Sequence, residues 1–121
     1  MRTRIDKGKR GEEVAAAFLK EQGLQLLAQN VRCVLGEIDL VAKDGRTLVF
    51  VEVRSRSGNR FGLPQESVSP AKQRRLTQLA KWYLQRHHLE NQAARFDVIA
   101  IRWILEKPEI TWIPNAFEAR E

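Results

Sequence analysis

Apolar residues recur along this chain with two different periods. In residues 10–22, RGEEVAAAFLKEQ, the residues Val14, Ala15, Phe18 and Leu19 share one side of a helix, and Gly23 follows as its stop. Glu13 takes the opposite side near Lys20, while Glu12 sits at the rim of the apolar face beside Leu19. Residues 24–33, LQLLAQNVRC, read as extended chain. Two apolar runs, 36–43 and 47–54, flank Asp44-Gly45, a strong hairpin signal. A polar loop over 57–68 leads to Ser69-Pro70, an N-cap and first-turn proline that open a second helix running to about His88. Its core stripe is Leu76, Leu79, Ala80, Tyr83 and Leu84. Residues 96–104, FDVIAIRWI, are nearly continuously apolar, as in a strand covered on both faces, and 109–113, EITWI, read as a last edge strand. The order is α-β-β-β-α-β-β, a mixed α/β layer architecture. Residues 1–9 form a basic arm and 10–121 a single domain.

The hairpin carries acids where strands favour Val or Ile. By alternation Glu37 and Asp39 share one face of the first arm, with Ile38 and Leu40 on the other. In the second arm Glu52 and Arg54 share a face, opposite Val51 and Val53. A tight turn at Asp44-Gly45 pairs residues whose numbers sum to about 89 or 91, which sets Asp39 across from Phe50 or Glu52. Two carboxylates this close repel unless a cation offsets them. Magnesium suits such a site, since it takes a few carboxylates and bridges to phosphate oxygens. Glu12 can complete it from the first helix. Arg54 can hold a phosphate or meet developing negative charge. An ordinary ion pair of Asp39 with Arg54 or Arg56 is the other reading of the same residues.

The 121 residues carry a formal net charge of +6, which favours a polyanionic partner. No run approaches the roughly 18 apolar residues of a membrane span. The basic start, MRTRIDKGKRG, has no apolar stretch behind it and is no secretory signal. Cys33 is the only cysteine, so an intrachain disulfide is excluded and a reducing cytosol is the simplest setting. With no second Cys or nearby His it reads as a small apolar side chain rather than a zinc ligand or nucleophile. His87 and His88 suit a helix C-terminus. Trp82, Trp103 and Trp112 read as core, and Asp97 as a cap or structural ion pair. Glu37 admits a supporting role beside a metal or a salt bridge to Arg32 or Lys43.

Asp39…Glu52-Val53-Arg54, after a helix bearing Glu12, resembles the D…ExK core of the PD-(D/E)xK nuclease superfamily. GEEVAAAFL, the N-x-R of QNVRC, GEIDLV, LVFVEVRSR, FGLPQESVSPAKQRRL, RFDVIAI and NAF together resemble the small bacterial YraN-like family (UPF0102), itself similar to archaeal Holliday-junction resolvases. The resemblance implies a restriction-endonuclease-like fold, a mixed β-sheet with flanking helices. It also implies Mg²⁺ or Mn²⁺ held by Asp39, Glu52 and Glu12 for phosphodiester hydrolysis, and a cytoplasmic protein. Arg54 stands where the superfamily usually has lysine, and a guanidinium cannot hand over a proton.

DNA contact is expected from the arm, from Arg10, Arg56 and Arg60, and from Lys72, Arg74 and Arg75 of the second helix. No recognition helix or zinc finger is present, which points to structure-selective binding of branched or single-stranded DNA. Two other readings stand beside the nuclease. One is a non-catalytic DNA-binding module. The other is an adaptor of a DNA-processing complex, with a helicase as one partner and ITWIPNAF as a docking segment. A homodimer is expected by analogy with branched-DNA cutters.

Overall fold

The computed structural model of the chain describes residues 4–57 and 68–120. Its elements are α1 (Arg4–Glu21), β1 (Gln25–Cys33), β2 (Gly36–Asp44), β3 (Thr47–Ser57), α2 (Pro70–Arg86), β4 (Ala94–Ile104) and β5 (Lys107–Phe117). The strands form one sheet in the order β1-β2-β3-β4-β5. All neighbours are antiparallel except β3 and β4. That parallel pair needs a crossover, which α2 supplies. The expected mixed α/β order is therefore the observed one. None of the described helices is long and apolar enough to cross a membrane.

Two helices on opposite faces explain the apolar character of the central strands. Ala15, Ala16 and Leu19 of α1 pack on Leu40, Val49, Val51, Ile99 and Ile101. Leu76, Leu79, Ala80 and Tyr83 of α2 pack on Val41, Phe50, Phe96 and Val98. The sequence pattern starts the first helix at residue 10. It begins instead at Arg4, so residues 4–9 are helical rather than part of a loose arm. The segment RIDKGK holds no proline, so nothing stops the helix from extending backwards from its apolar face. At the other end Gly23 adopts φ +93°. Its N–H reaches Lys20 O, and Leu24 N–H reaches Leu19 O, each at 3.0 Å, the paired bonds of a Schellman stop.

In α2 the Ser69 hydroxyl accepts from Lys72 N–H at 3.1 Å, and Pro70 takes the first helical position. Thr77 is buried as well, outside the expected stripe. Its Oγ1 donates to Gln73 O at 2.8 Å and accepts from Arg120 N–H at 2.9 Å, so it fastens the C-terminal segment. Ile113, Ala116 and Phe117 pack on the α2 side of the sheet, and Phe117 stacks on Phe96 at 4.8 Å. The tail of the chain thus caps its own fold.

The hairpin pairs Asp44 with Thr47 and Leu40 with Val51, the register whose numbers sum to 91. Its loop is Gly45-Arg46, one residue later than the Asp44-Gly45 turn of the pattern. Gly45 has φ +60° at the first loop position, where a type II′ turn calls for glycine. Both sheet edges are irregular. β1 has a register shift between Leu26 and Ala28 and carries Asn30 at φ +52°. β5 contains Pro108, Pro114 and Asn115 at φ +51°, beside a shift between Phe96 and Val98.

Asp97 lies at that second shift and is fully buried. Its oxygens accept from Arg95 Nε at 3.0 Å and Nη2 at 3.2 Å, from Trp112 Nε1 at 3.0 Å, and from Asn115 N–H at 2.9 Å. The structural ion pair read from the sequence is therefore present, and it also ties β4 to β5. Asp97→Ala leaves the Trp112 and Asn115 N–H groups without their acceptor and Arg95 with Asp44 alone. It should cost about 3–5 kcal/mol, the scale for breaking a buried pair, seen as a lower midpoint in urea unfolding.

Candidate metal centre

The ladder between β2 and β3 ends at Leu40↔Val51. One rung further, the same register brings Asp39 to Glu52. There the strands part, because Val53 N–H donates to Asp39 Oδ2 at 2.8 Å instead of to a backbone carbonyl. β3 continues with β4 alone, pairing Glu52 with Val98. The two acids thus meet where one strand leaves another.

Asp39 is pushed up to about 8 from its ordinary 3.8, first by burial and then by the charge of Glu52. The Val53 N–H opposes the rise. Glu52 is only 5 % exposed, and Arg54 Nη1 and Lys72 Nζ lie 3.6 and 3.5 Å from its Oε2. Lys72 comes from α2, so Glu52 points to the α2 side of the sheet. Val51 and Val53 pack on the α1 side, as alternation requires.

α1 brings the third acid. Gly11 is buried, and a Cβ there would stand 3.3 Å from Ser55 Cβ and Oγ. Having none, it lets the helix lie close on β3. Glu12 then hangs over the gap. Glu12, Glu37 and Asp39 each offer an oxygen, all within 4.8 Å of one another. Burial raises the Glu12 carboxyl and Glu37 raises it further, against Asn30 and Arg32, which lower it. With its amide nitrogen turned inward, Asn30 donates to Glu12 Oε2 and Glu37 Oε1, each at 2.8 Å. Arg32 Nε holds the other Glu37 oxygen at 3.2 Å.

The structure therefore brings together Glu12, Asp39, Glu52 and Arg54. Two participants were not read from the sequence as members of the cluster. Glu37 makes the anticipated Arg32 pair and still presents an oxygen to the same point as Glu12 and Asp39. Asn30 stands between the paired Gln29↔Leu40 and Val31↔Ile38, in a left-handed conformation that asparagine tolerates. Alternation is reset across this rung. Ile38 packs on the α2 side and Leu40 on the α1 side, not on one face as strict alternation sets them. An asparagine amid strand residues was the available signal.

The donor set fits a hard divalent cation. All three converging groups are carboxylates, each offering an oxygen within 4.8 Å of the others, the all-oxygen set that a hard cation such as magnesium prefers. The Asn30 amide already bridges two of them as a donor, where a cation would compete.

The expected DNA-contacting residues divide. Arg56, Arg74 and Arg75 are exposed, and Arg75 lies near Gly36 at the start of β2. Arg10 is engaged within the fold, over the Trp103 ring at 4.5 Å and 3.5 Å from Glu106. Arg60 lies outside the described residues. Trp103 is core, and its Nε1 donates to Ser55 Oγ at 2.7 Å. Trp82 and Trp112 are partly buried against the two clusters.

Residues 11–101 match the sequence model of the uncharacterised protein family UPF0102. A UPF0102 protein of Syntrophus aciditrophicus is 50% identical over 111 residues, covering 92% of this chain and 87% of its own. One of Syntrophotalea carbinolica is 44% identical, covering 95% and 94%. One of Caldicellulosiruptor saccharolyticus is 43% identical, covering 91% and 95%.

Burial of Asp39 has a consequence for pH. Its folded carboxyl keeps a proton up to about 8, whereas the unfolded one loses it near 3.8. Folding therefore takes up a proton between these values, and its contribution to stability falls as pH rises through that window. Asp39→Asn mimics the protonated form. In chelator at pH 9 it should melt roughly 5 °C above the parent, about 1 kcal/mol, with the difference gone near pH 4. Equal melting at both pH values in scanning calorimetry would contradict this.

Proposed function

The chain belongs to the uncharacterised protein family UPF0102, and from its acid site we propose that it hydrolyses phosphodiester bonds in DNA with a divalent cation. The observation that carries this reading is the convergence of Glu12, Glu37 and Asp39 beside the buried Glu52. Mg²⁺ or Mn²⁺ in such a site supplies a polarised phosphate and a water acidic enough to attack it. Glu12, Glu37 and Asp39 would hold it, with Glu52 alongside. Asn30 and Arg32 orient Glu12 and Glu37, as hydrogen-bonded neighbours orient metal-binding carboxylates.

Arg54 holds the phosphate as a planar fork and meets the charge that grows on its oxygens. It does not take the proton of the water, since a guanidinium stays charged. Arg56, Arg74 and Arg75 add phosphate contacts that carry no base information. The net charge of +6 agrees with a polyanionic substrate. The D…ExK likeness, shared with Holliday-junction resolvases, supports branched or single-stranded intermediates of repair, recombination or uptake. A lone free Cys33 agrees with a cytosolic setting.

The arginine at position 54 favours one alternative, a DNA-binding module or adaptor that keeps the fold without the chemistry. Mn²⁺-dependent cleavage of labelled branched and single-stranded DNA separates the two. The parent should cut, and Asp39→Asn and Glu52→Gln should each cut about 100-fold more slowly or worse, the scale of several kcal/mol of lost charge stabilisation. An inactive parent that still binds DNA would favour the module. Cutting that survives both substitutions would refute the site.

A further inference from the structure

Lys72 and Arg54 crowd a single oxygen. Lys72 Nζ is 3.5 Å and Arg54 Nη1 3.6 Å from Oε2 of Glu52. Tight bonds between charged partners run nearer 2.7–2.9 Å, so neither cation is fully committed. Two other cations are held more closely. Arg32 is bound to Glu37 at 3.2 Å, and Arg95 to Asp44 at 2.9 Å and Asp97 at 3.0 Å. One buried carboxylate thus faces two loosely held cations at the lip of the acid cluster. The Lys72 side chain is 34 % exposed and can reach solvent without leaving its helix. Its backbone is fixed, because Lys72 N–H caps onto Ser69 Oγ at 3.1 Å. A flexible stem on a fixed backbone lets the ammonium swing as a compact point charge, which the planar arginine fork does less readily.

We propose that Lys72 is a metal-gated phosphate clamp, whose ammonium exchanges Glu52 for a non-bridging oxygen of a nucleic-acid phosphate when a divalent cation joins the cluster. The inference rests on the metal-site reading above and extends it to substrate capture. In the cation's absence Glu52 is neutralised by Lys72 and Arg54. A cation beside Glu52 takes over that neutralisation, and the surplus positive charge then belongs to an anion. Cation and nucleic acid bind cooperatively as a result, with Lys72 as the link. An ordinary surface lysine on a phosphate would contribute equally with and without the cation.

Anisotropy of a labelled single-stranded oligonucleotide, in EDTA and in Ca²⁺, measures this link without relying on cleavage. Ca²⁺ should raise the affinity of the parent about tenfold, within the usual range of such couplings. In Lys72→Gln the gain should fall below about twofold, with Lys72→Arg intermediate. Glu52→Gln frees the ammonium from the start and should bind more tightly than the parent in EDTA. Melting curves establish that each variant is folded. A Ca²⁺ gain equal in parent and Lys72→Gln would overturn the proposal, as would a parent that shows no gain at all. A Lys72-dependent gain in a parent that never cuts DNA would support the clamp and sink the nuclease reading, so the two fail separately.

Discussion

The arrangement of this protein turns on the bond from Val53 N–H to Asp39 Oδ2, at 2.8 Å. A backbone N–H in the middle of a sheet has to find an acceptor. Here a side chain supplies it where the neighbouring strand's carbonyl would stand. The substitution keeps β3 satisfied while releasing β2 from it. The gap so created accepts Asp39 from one strand, Glu52 from the other and Glu12 from the helix above. Without that carboxylate, the ladder has every reason to continue past Leu40↔Val51, and the crevice closes.

Much of this geometry was legible in the sequence. The Asp-Gly pair beside two apolar runs specified a hairpin, and only two registers were compatible with it. Both brought the acids to one neighbourhood. The apolar stripes named most of the buried residues of both helices, but not Gly11 and Ala16 of α1 or Thr77 of α2. Most of what was not legible at the site has one cause. Asn30 is left-handed inside a strand, and no periodicity argument survives a residue that reverses the backbone. That is why Ile38 and Leu40 lie on opposite sides of the sheet, and why Glu37 joins the acid cluster instead of merely bordering it. The early start of α1 escaped for a different reason. An apolar stripe locates where a helix packs, not how far it extends beyond its packing.

The site also shows how a fold tolerates a local conflict. Glu12, Glu37, Asp39 and Glu52 stand together under partial or full burial, a combination that opposes folding. Their neighbours offset it unevenly. Arg32 and Asn30 serve one end of the cluster, while Lys72 and Arg54 share the other. Asp39 instead keeps its proton. The strain rests on a scaffold whose other buried acid, Asp97, has all its acceptor needs met. Departures from local consistency concentrated in one place, on an otherwise consistent framework, are what a functional site leaves behind.

The irregular outer strands carry a different implication. An open sheet edge is a template on which another chain can add a strand. Here β1 is interrupted by a shift at Leu26/Ala28 and by Asn30, and β5 by two prolines and Asn115. Neither rim offers a long flat row of free donors and acceptors. Two copies of this protein therefore have no continuous seam along which to merge their sheets. The same interruptions work against ribbon-like, edge-to-edge aggregation.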